Sequence, residues 1–357
     1  MKILFISRAF PPVTGGIENH NHALSVWLPK FATVKTLANY YGKKFLPIFF
    51  PYVTARILLT LHRYDVLLLG DGVLGVVGYV VKFFYPKKII VSVVHGLDLT
   101  YPNACYQRFW LGIFLPRLDG FIAVSRETKT QATEKGLHSQ NIAVIPNGID
   151  QSTLSSSGSR ADLATLLNDS LKDTKVLLTT GRLVKRKGAE WFIRNVLGQL
   201  PKDTLYILAG AGPQEPAIRR ALEETGLASQ VRLLGRVTDK ERNLLLHTAD
   251  LFIQPNIHVM GDMEGFGIAA IEAAASGLPV VAARLEGLID AITDRENGIL
   301  VTPENAAEFC QTINALLTND AARLALGARA ERYTREHFHW NVIAERYVAT
   351  LKTVTKS

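Results

Sequence analysis

The chain reads as an α/β protein of two open, parallel-sheet domains, and three observations predict it. Short runs rich in Val, Ile and Leu alternate with amphipathic stretches along all 357 residues, the pattern of parallel strands covered on both faces by helices. That length is too great for one ordinary open sheet and comfortable for two. A polar, small-residue stretch at 150–159 parts the apolar runs into two sets, as a linker or exposed loop does.

In the first half, strands are predicted at 3–7, 34–38, 66–70, 89–94, 120–124 and 142–145; the second half repeats the scheme at 176–180, 205–209, 231–234, 251–254, 280–283 and 299–301. The opening run is apolar for only five residues before Arg8 and then Pro11-Pro12, too short for a signal-peptide core, so it reads as a first strand. Pro146-Asn147-Gly148 is the expected junction, with Asn147 and Gly148 as the hinge, because a fixed φ stands beside a permissive residue. At the far end, Phe338-His339-Trp340 followed by Val342, Ile343, Tyr347 and Leu351 has helical spacing, as in a final helix that packs on something.

Composition narrows the class. A hydrophobic content of 48% is that of a globular enzyme. Cys105 and Cys310 are the two cysteines; far apart and without ligand spacing, they argue against a disulfide framework or zinc site and fit a reducing cytoplasm. The net charge of +8 is uneven: residues 1–150 hold 16 Lys and Arg against 8 Asp and Glu, whereas residues 151–357 hold 24 of each. This basic half carries apolar, aromatic stretches at 43–52 and 83–88, a combination that suggests peripheral docking on an anionic membrane surface, on the inner face of the cytoplasmic membrane. The bland alternative puts the aromatics in the core and the lysines on a solvated rim. No run approaches the roughly 18 consecutive apolar residues of a spanning helix.

Two motifs point to chemistry. Gly261-Asp262-Met263-Glu264-Gly265-Phe266-Gly267-Ile268 leads into a helix carrying Glu272, so two carboxylates stand eight residues apart around a glycine-rich turn. Glycines let backbone amides approach a phosphate, a helix start near Phe266 turns its positive end to that anion, and carboxylates accept hydrogen bonds from a sugar diol. Separately, the strand at 176–180 runs into Gly181-Arg182-Leu183-Val184-Lys185-Arg186-Lys187-Gly188. Cations at a strand's carboxyl end suit a diphosphate; Arg182 and Lys187 are expected to point inward, Lys185 and Arg186 to be solvated.

Taken in order, Gly15-Gly16-Ile17-Glu18 after the first strand, His95-Gly96 after the fourth, Pro146-Asn147-Gly148-Ile149-Asp150 at the junction, the Arg182/Lys187 loop and the Glu264/Glu272 pair resemble the retaining glycosyltransferases of family 4. That resemblance spans nearly the whole chain. It implies the GT-B fold, two facing Rossmann-like domains with an interdomain cleft: an acceptor-binding domain of residues 1–148, completed by a helix at about 338–357 that crosses back, and a nucleotide-sugar domain of 149–337. Arg182 and Lys187 would bind the donor diphosphate, Glu272 the ribose and Glu264 the transferred sugar. Gly16, after Gly15, would face the β-phosphate, and His95 would lie beside the sugar near the reacting carbon. Gly265, Phe266, Gly267 and Ile268 would line the donor site, with Gly212 in a tight turn on the nucleotide side and backbone near Arg236 and Val237 against the base.

No Asp-x-Asp clamp is present and Asp262 has no partner at ligand spacing, so neither metal nor cofactor is expected. Arg182, Lys187, the Gly16 amide and the amides opening the helix after Glu264 would absorb the leaving charge instead. His95 is read as functional. Asp98 has two readings, acceptor-orienting group and helix cap, the cap being preferred. For His20 and His22, surface or capping roles are preferred over facing the acceptor.

The function expected is retaining, metal-independent transfer from a nucleoside-diphosphate sugar to a cell-envelope glycan or lipid-linked acceptor. The nearest alternative is a sugar-nucleotide epimerase or hydrolase of the same fold. A nicotinamide oxidoreductase is disfavoured, since Gly210-Ala211-Gly212-Pro213-Gln214-Glu215 puts a glutamate where close helix packing wants a small residue. A nucleic-acid module is disfavoured because the cations gather on no recognition helix.

Overall fold

A computed structural model of the chain describes residues 1–13, 15–155 and 158–355. The chain forms two compact units. The first holds Met1–Gly148, Gly261–Phe266 and Trp340–Ser357, the second Ile149–Met260 and Gly267–His339. Residues 261–266, inside the range expected for the donor domain, thus group with the first unit.

Each unit is built on a six-stranded parallel sheet. In the first, β1 (Lys2–Ser7), β2 (Thr33–Ala38), β3 (Val66–Leu69), β4 (Ile89–Val94), β5 (Gly120–Ala123) and β6 (Ile142–Val144) run in the order β2-β1-β3-β4-β5-β6. In the second, β7 (Lys175–Thr180), β8 (Thr204–Ala209), β9 (Val231–Gly235), β10 (Leu251–Gln254), β11 (Val280–Ala283) and β12 (Ile299–Val301) run in the order β12-β11-β10-β7-β8-β9. Every predicted strand is found, its ends within a residue. The central strands β3, β8 and β10 are buried at every position, which is why they read as unbroken apolar runs rather than alternating ones. In each sheet the order reverses once, between β1 and β3 and between β7 and β10. At such a reversal the chain leaves neighbouring strands in opposite directions, and a crevice opens at their carboxyl ends.

The helix Leu46–Thr60 lays Phe49, Val53 and Ile57 into the first unit's core against Leu4, Leu67 and Leu69, one stripe at four-residue spacing. It lies within a stretch, Lys43–Arg63, long and apolar enough to cross a membrane by length and composition, but that stripe is core. The second unit's core gathers Leu177, Phe192, Tyr206, Ile253 and Phe309.

The helix Trp340–Val354 returns to the first unit, burying Trp340, Ile343, Tyr347 and Leu351 and packing on the helix Gly16–Trp27. Of the range expected for this helix, 356 and 357 lie outside the described residues. A Cβ on Gly148 would stand 2.5 Å from the Trp340 indole, so space rather than φ requires glycine there.

Of the two readings of 150–159, the exposed loop stands, with Ser152, Thr153, Ser155 and Ser159 exposed, and the linker needs correction. Gln151 donates to the Ala275 carbonyl at 2.8 Å, Asn243 donates to Thr153 and Ser155 carbonyls at 2.8 and 3.2 Å, and Leu154 is buried. Polar composition hid these ties because they run to residues distant in sequence; Ser156 and Ser157 lie outside the described residues.

Trp340→Ala removes a buried indole that fills the space over Gly148, and should cost about 3–5 kcal/mol, read as a lowered midpoint in urea denaturation.

Candidate active site

In the second unit, the loop after β7 is fixed by backbone contacts. Gly181, at φ 119, turns the chain off the strand. The Leu183 amide then donates to Ala211 and its carbonyl accepts from Gln214, both at 3.1 Å. A Cβ on Gly210 would meet the Gly181 carbonyl oxygen at 1.8 Å, and one on Gly212 the Leu183 oxygen at 2.2 Å, so the loops after β7 and β8 touch with no room for a side chain. On the other side, the turn Lys185–Lys187 ends at Gly188, φ 68, whose Cβ would stand 1.8 Å from the Pro255 carbonyl oxygen. The Ile257 amide donates to Arg186 at 2.9 Å. The cationic loop is thereby held at the β7–β10 reversal.

Lys187 is buried, as expected. Arg182 is exposed rather than inward, because Leu183 takes the buried place after Gly181, and Arg186 is half-buried rather than solvated, drawn in by its carbonyl's bond to Ile257. Lys185 is exposed. Beyond β8, the strand β9 ends at Gly235, φ 66, leaving Arg236 exposed and Val237 half-buried just before the Thr238–Glu241 capping box of the helix Asp239–Thr248.

The helix Ile268–Ala275 opens after Gly267, φ 96, where a Cβ would stand 2.5 Å from Leu288. Its Glu272 is half-buried. Burial pushes the Glu272 carboxyl above the usual range, against the opposing pull of Arg242 and with a further push from Asp239. Arg242 pairs with Asp239 at 3.1 Å. At the end of β10, Gln254 is 1% exposed, and neither atom of its amide has a hydrogen-bond partner.

In the first unit, Gly15 is extended and Gly16 opens the helix Gly16–Trp27. Beside them, at the β1–β3 reversal, Arg8 Nε donates to Asp71 Oδ1 at 2.9 Å, and the same oxygen accepts from the Val73 amide. Burial pushes the Asp71 carboxyl up while Arg8 opposes it. Asp98 is buried and accepts from the amides of His95, Gly96 and Gly72 at 2.9, 2.9 and 3.0 Å. Instead of capping the turn that follows, it reaches back and ties the loop after β4 to the loop after β3.

His95 Nε2 stands 3.0 Å from the Gly70 carbonyl oxygen. A carbonyl only accepts, so Nε2 carries a hydrogen, which leaves Nδ1 as the ring's other polar atom. Edge-on to it, ring centres 4.9 Å apart, sits His20, whose Nε2 meets the Tyr347 hydroxyl at 3.2 Å. His20 is buried, not at the surface as expected: it lies on the helix face covered by Trp340 and Tyr347. Burial, with His95 adding to it, holds the His20 pKa well below the usual histidine value. His22 is exposed.

The segment Gly261–Phe266 packs on this loop. A Cβ on Gly265 would stand 2.3 Å from the His95 carbonyl oxygen, and Thr128 Oγ1 donates to the Gly265 carbonyl at 3.5 Å. Glu264 and Phe266 are buried within it. The first unit therefore brings His95 and Glu264 into one neighbourhood, and the second brings together Arg182, Lys187 and Gly212, with Glu272 on a helix that packs on β10. Among the described residues, no three His, Cys, Asp or Glu side chains form a group fit for a metal ion. Arg8, Asp71, Arg242 and Gln254 escaped the sequence reading; strand order would have flagged Arg8 and Asp71, which follow the two strands flanking the reversal.

These sites belong to a chain with recognisable relatives. The family described as Glycosyltransferase Family 4 matches residues 18–153, and that described as Glycosyl transferases group 1 matches residues 174–319. The phosphatidyl-myo-inositol mannosyltransferase of Mycobacterium leprae is 32% identical over 60% of this chain and 54% of its own length. The GDP-mannose-dependent alpha-(1-6)-phosphatidylinositol monomannoside mannosyltransferase of Mycolicibacterium smegmatis is 24% identical over 98% of each. Apart from such full-length matches, the chain spans about half the length of the curated relatives it matches, 54% and 45% in two of them. Among solved structures, Anabaena HepE in complex with UDP-glucose superposes with a TM-score of 0.76 at 23% identity, covering 99% of this chain and 100% of that one. Sucrose-phosphate synthase from Thermosynechococcus elongatus gives 0.77 at 20% identity, covering 99% of both. With both halves matched in order and each sheet in place, the chain belongs to the group 1, family 4 glycosyltransferases and has their GT-B fold of two Rossmann-like domains.

Proposed function

We propose that the protein is a retaining, metal-independent hexosyltransferase that moves a sugar from a nucleoside diphosphate to a hydroxyl of a cell-envelope glycan or lipid-linked acceptor. The observation that carries this reading is the cationic turn at the β7–β10 reversal, where Lys187 is buried and Arg182 is open to an incoming ligand. A buried ammonium beside an exposed guanidinium at a strand's carboxyl end suits the two phosphates of a nucleoside diphosphate, the Arg as a fork and the Lys as a point charge. Glu272 supplies the complementary feature, a half-buried carboxylate free to accept from a ribose diol. Arg182, Lys187 and the amides opening the helix at Ile268 take up the charge that develops on the departing diphosphate. In the first unit, His95 offers Nδ1 to a sugar hydroxyl, and Glu264 is the carboxylate assigned to the transferred sugar.

Relatives named for phosphatidylinositol mannosides and for inositol 3-phosphate favour a polyol or glycolipid acceptor. Those named for GDP-mannose and UDP-glucose leave the base open. A cytoplasmic enzyme working at the membrane's inner face follows from an acceptor of that kind.

A panel of nucleotide sugars screened by thermal shift tests the donor assignment, since a ligand that binds the native state raises the melting temperature. One sugar nucleotide should stabilise the protein, and Lys187→Ala or Arg182→Ala should each lower kcat/KM about 10²–10³-fold. Turnover should persist in EDTA; a strict magnesium requirement would refute metal independence.

Glu272→Gln should lose the donor-induced shift while melting higher than wild type at neutral pH. Its carboxyl lies higher in the folded than in the unfolded chain, so the wild type's favourable contribution is complete at acid pH and is lost as pH rises through the folded value. The variant's advantage should therefore shrink as pH falls, followed by melting curves across pH.

A further inference from the structure

Three helices lie side by side on one face of the first sheet: Leu46–Thr60, Gly75–Phe84 and the π-wound Gln107–Phe114. Their inward residues fill the core, Phe49, Val53 and Ile57 from the first, Val77 and Val81 from the second, Leu111 from the third. Their outward residues include many that a solvated surface does not need. Phe45, Ile48 and Tyr52, in the segment that follows β2, are 45, 67 and 55% exposed; Tyr101, Phe109 and Ile113, in the segment that follows β4, are 50, 43 and 39% exposed.

Both sets belong to the carboxyl-end rim of the sheet, the edge that carries Arg8, Asp71 and His95. In the order β2-β1-β3-β4, the sets follow the two outer strands, and β1 and β3, which lead into Arg8 and Asp71, lie between. The charge pattern says what covers them. Residues 40–64 contain Lys43, Lys44, Arg56 and Arg63 and not one Asp or Glu; residues 99–118 contain Arg108 and Arg117 and again no carboxylate. Lys43, Lys44 and Arg108 are exposed. A protein partner would be met by charges of both signs. Aromatic and aliphatic side chains among cations alone fit the boundary between anionic headgroups and acyl chains.

Phe83 and Phe84, 80 and 60% exposed, are elsewhere. They end the helix that feeds the amino-terminal end of β4, so they belong to the opposite edge of the sheet, and the sequence reading that joined 83–88 to 43–52 in one surface is revised.

We propose that the carboxyl-end rim of the first unit, with Ile48, Tyr52 and Ile113 immersed and Lys43, Lys44 and Arg108 on the headgroups, docks on an anionic lipid bilayer. It thereby presents the polar residues between the two sets to an acceptor that stays in the membrane. The inference rests on the acceptor role proposed for this unit, and it narrows the acceptor to an amphiphile whose lipid part need not leave the bilayer.

The test is co-sedimentation of the full chain with phosphatidylcholine vesicles and with vesicles that also contain phosphatidylglycerol. Wild type should pellet with the anionic vesicles alone and be released by salt. Lys43→Glu with Lys44→Glu should lower partitioning about tenfold or more, from roughly one kcal/mol per cation, and Ile48→Glu with Tyr52→Glu should abolish it. These positions are solvent-exposed, so melting temperature and the shift produced by a stabilising sugar nucleotide should match wild type. Equal pelleting of wild type and variants, or no pelleting at low salt, overturns the proposal. So does a dimer in light scattering that the same variants dissolve, which would make the rim a contact between two copies. Vesicle binding without stabilisation by any nucleotide sugar would refute the donor reading and leave the docking surface standing.

Discussion

Backbone pressed on backbone is the constraint on which the second unit's chemistry depends. At Gly188, Gly210 and Gly212 the chain passes so close to the carbonyls of Pro255, Gly181 and Leu183 that one methyl group would overlap an oxygen. These contacts place a row of cations at the mouth of the sheet. Hydrogen bonds among backbone amides and carbonyls hold the loop that carries Arg182 and Lys187. A rigid frame for charged side chains is what electrostatic catalysis requires, because such charges need no rearrangement when a leaving group forms.

The first unit solves a related problem with a carboxylate. Asp98 gathers three amides from two loops, and the neighbouring Arg8–Asp71 pair fills the reversal point with matched charge. The result is a fixed orientation for His95: its backbone is tied by Asp98, its Nε2 by the Gly70 carbonyl, and its ring edge by a neutral His20. Asp71 retains one buried oxygen without a partner, a costly feature in a protein interior, and it stands where the site is expected.

Much of this was legible beforehand. The twelve strands followed from runs of Val, Ile and Leu because a strand buried on both faces has no polar phase to confuse it. Lys187 was recognised because charge at a strand's carboxyl end has few structural uses. The placement of Arg182 and Arg186 is not legible in sequence, since which side chain turns inward is set by Leu183 and by a bond from Ile257, about seventy residues on. His20 was misjudged for the same reason: a histidine on a polar helix is solvated until a helix from the far end of the chain covers it. Exposed aromatics at 45–52 and 83–84 looked alike in sequence, yet strand polarity separates them to opposite edges.

The order in which this fold can be completed is unusual. The helix that covers His20 and fills the space over Gly148 is synthesised about 190 residues after Gly148 and about 320 after His20. At about 5–20 residues per second on the ribosome, the amino-terminal sheet waits tens of seconds with its histidine uncovered, until the whole carboxy-terminal unit has emerged. Incomplete chains therefore lack a finished first unit, and a nascent polypeptide cut short anywhere before Trp340 leaves that unit with an open, apolar seam.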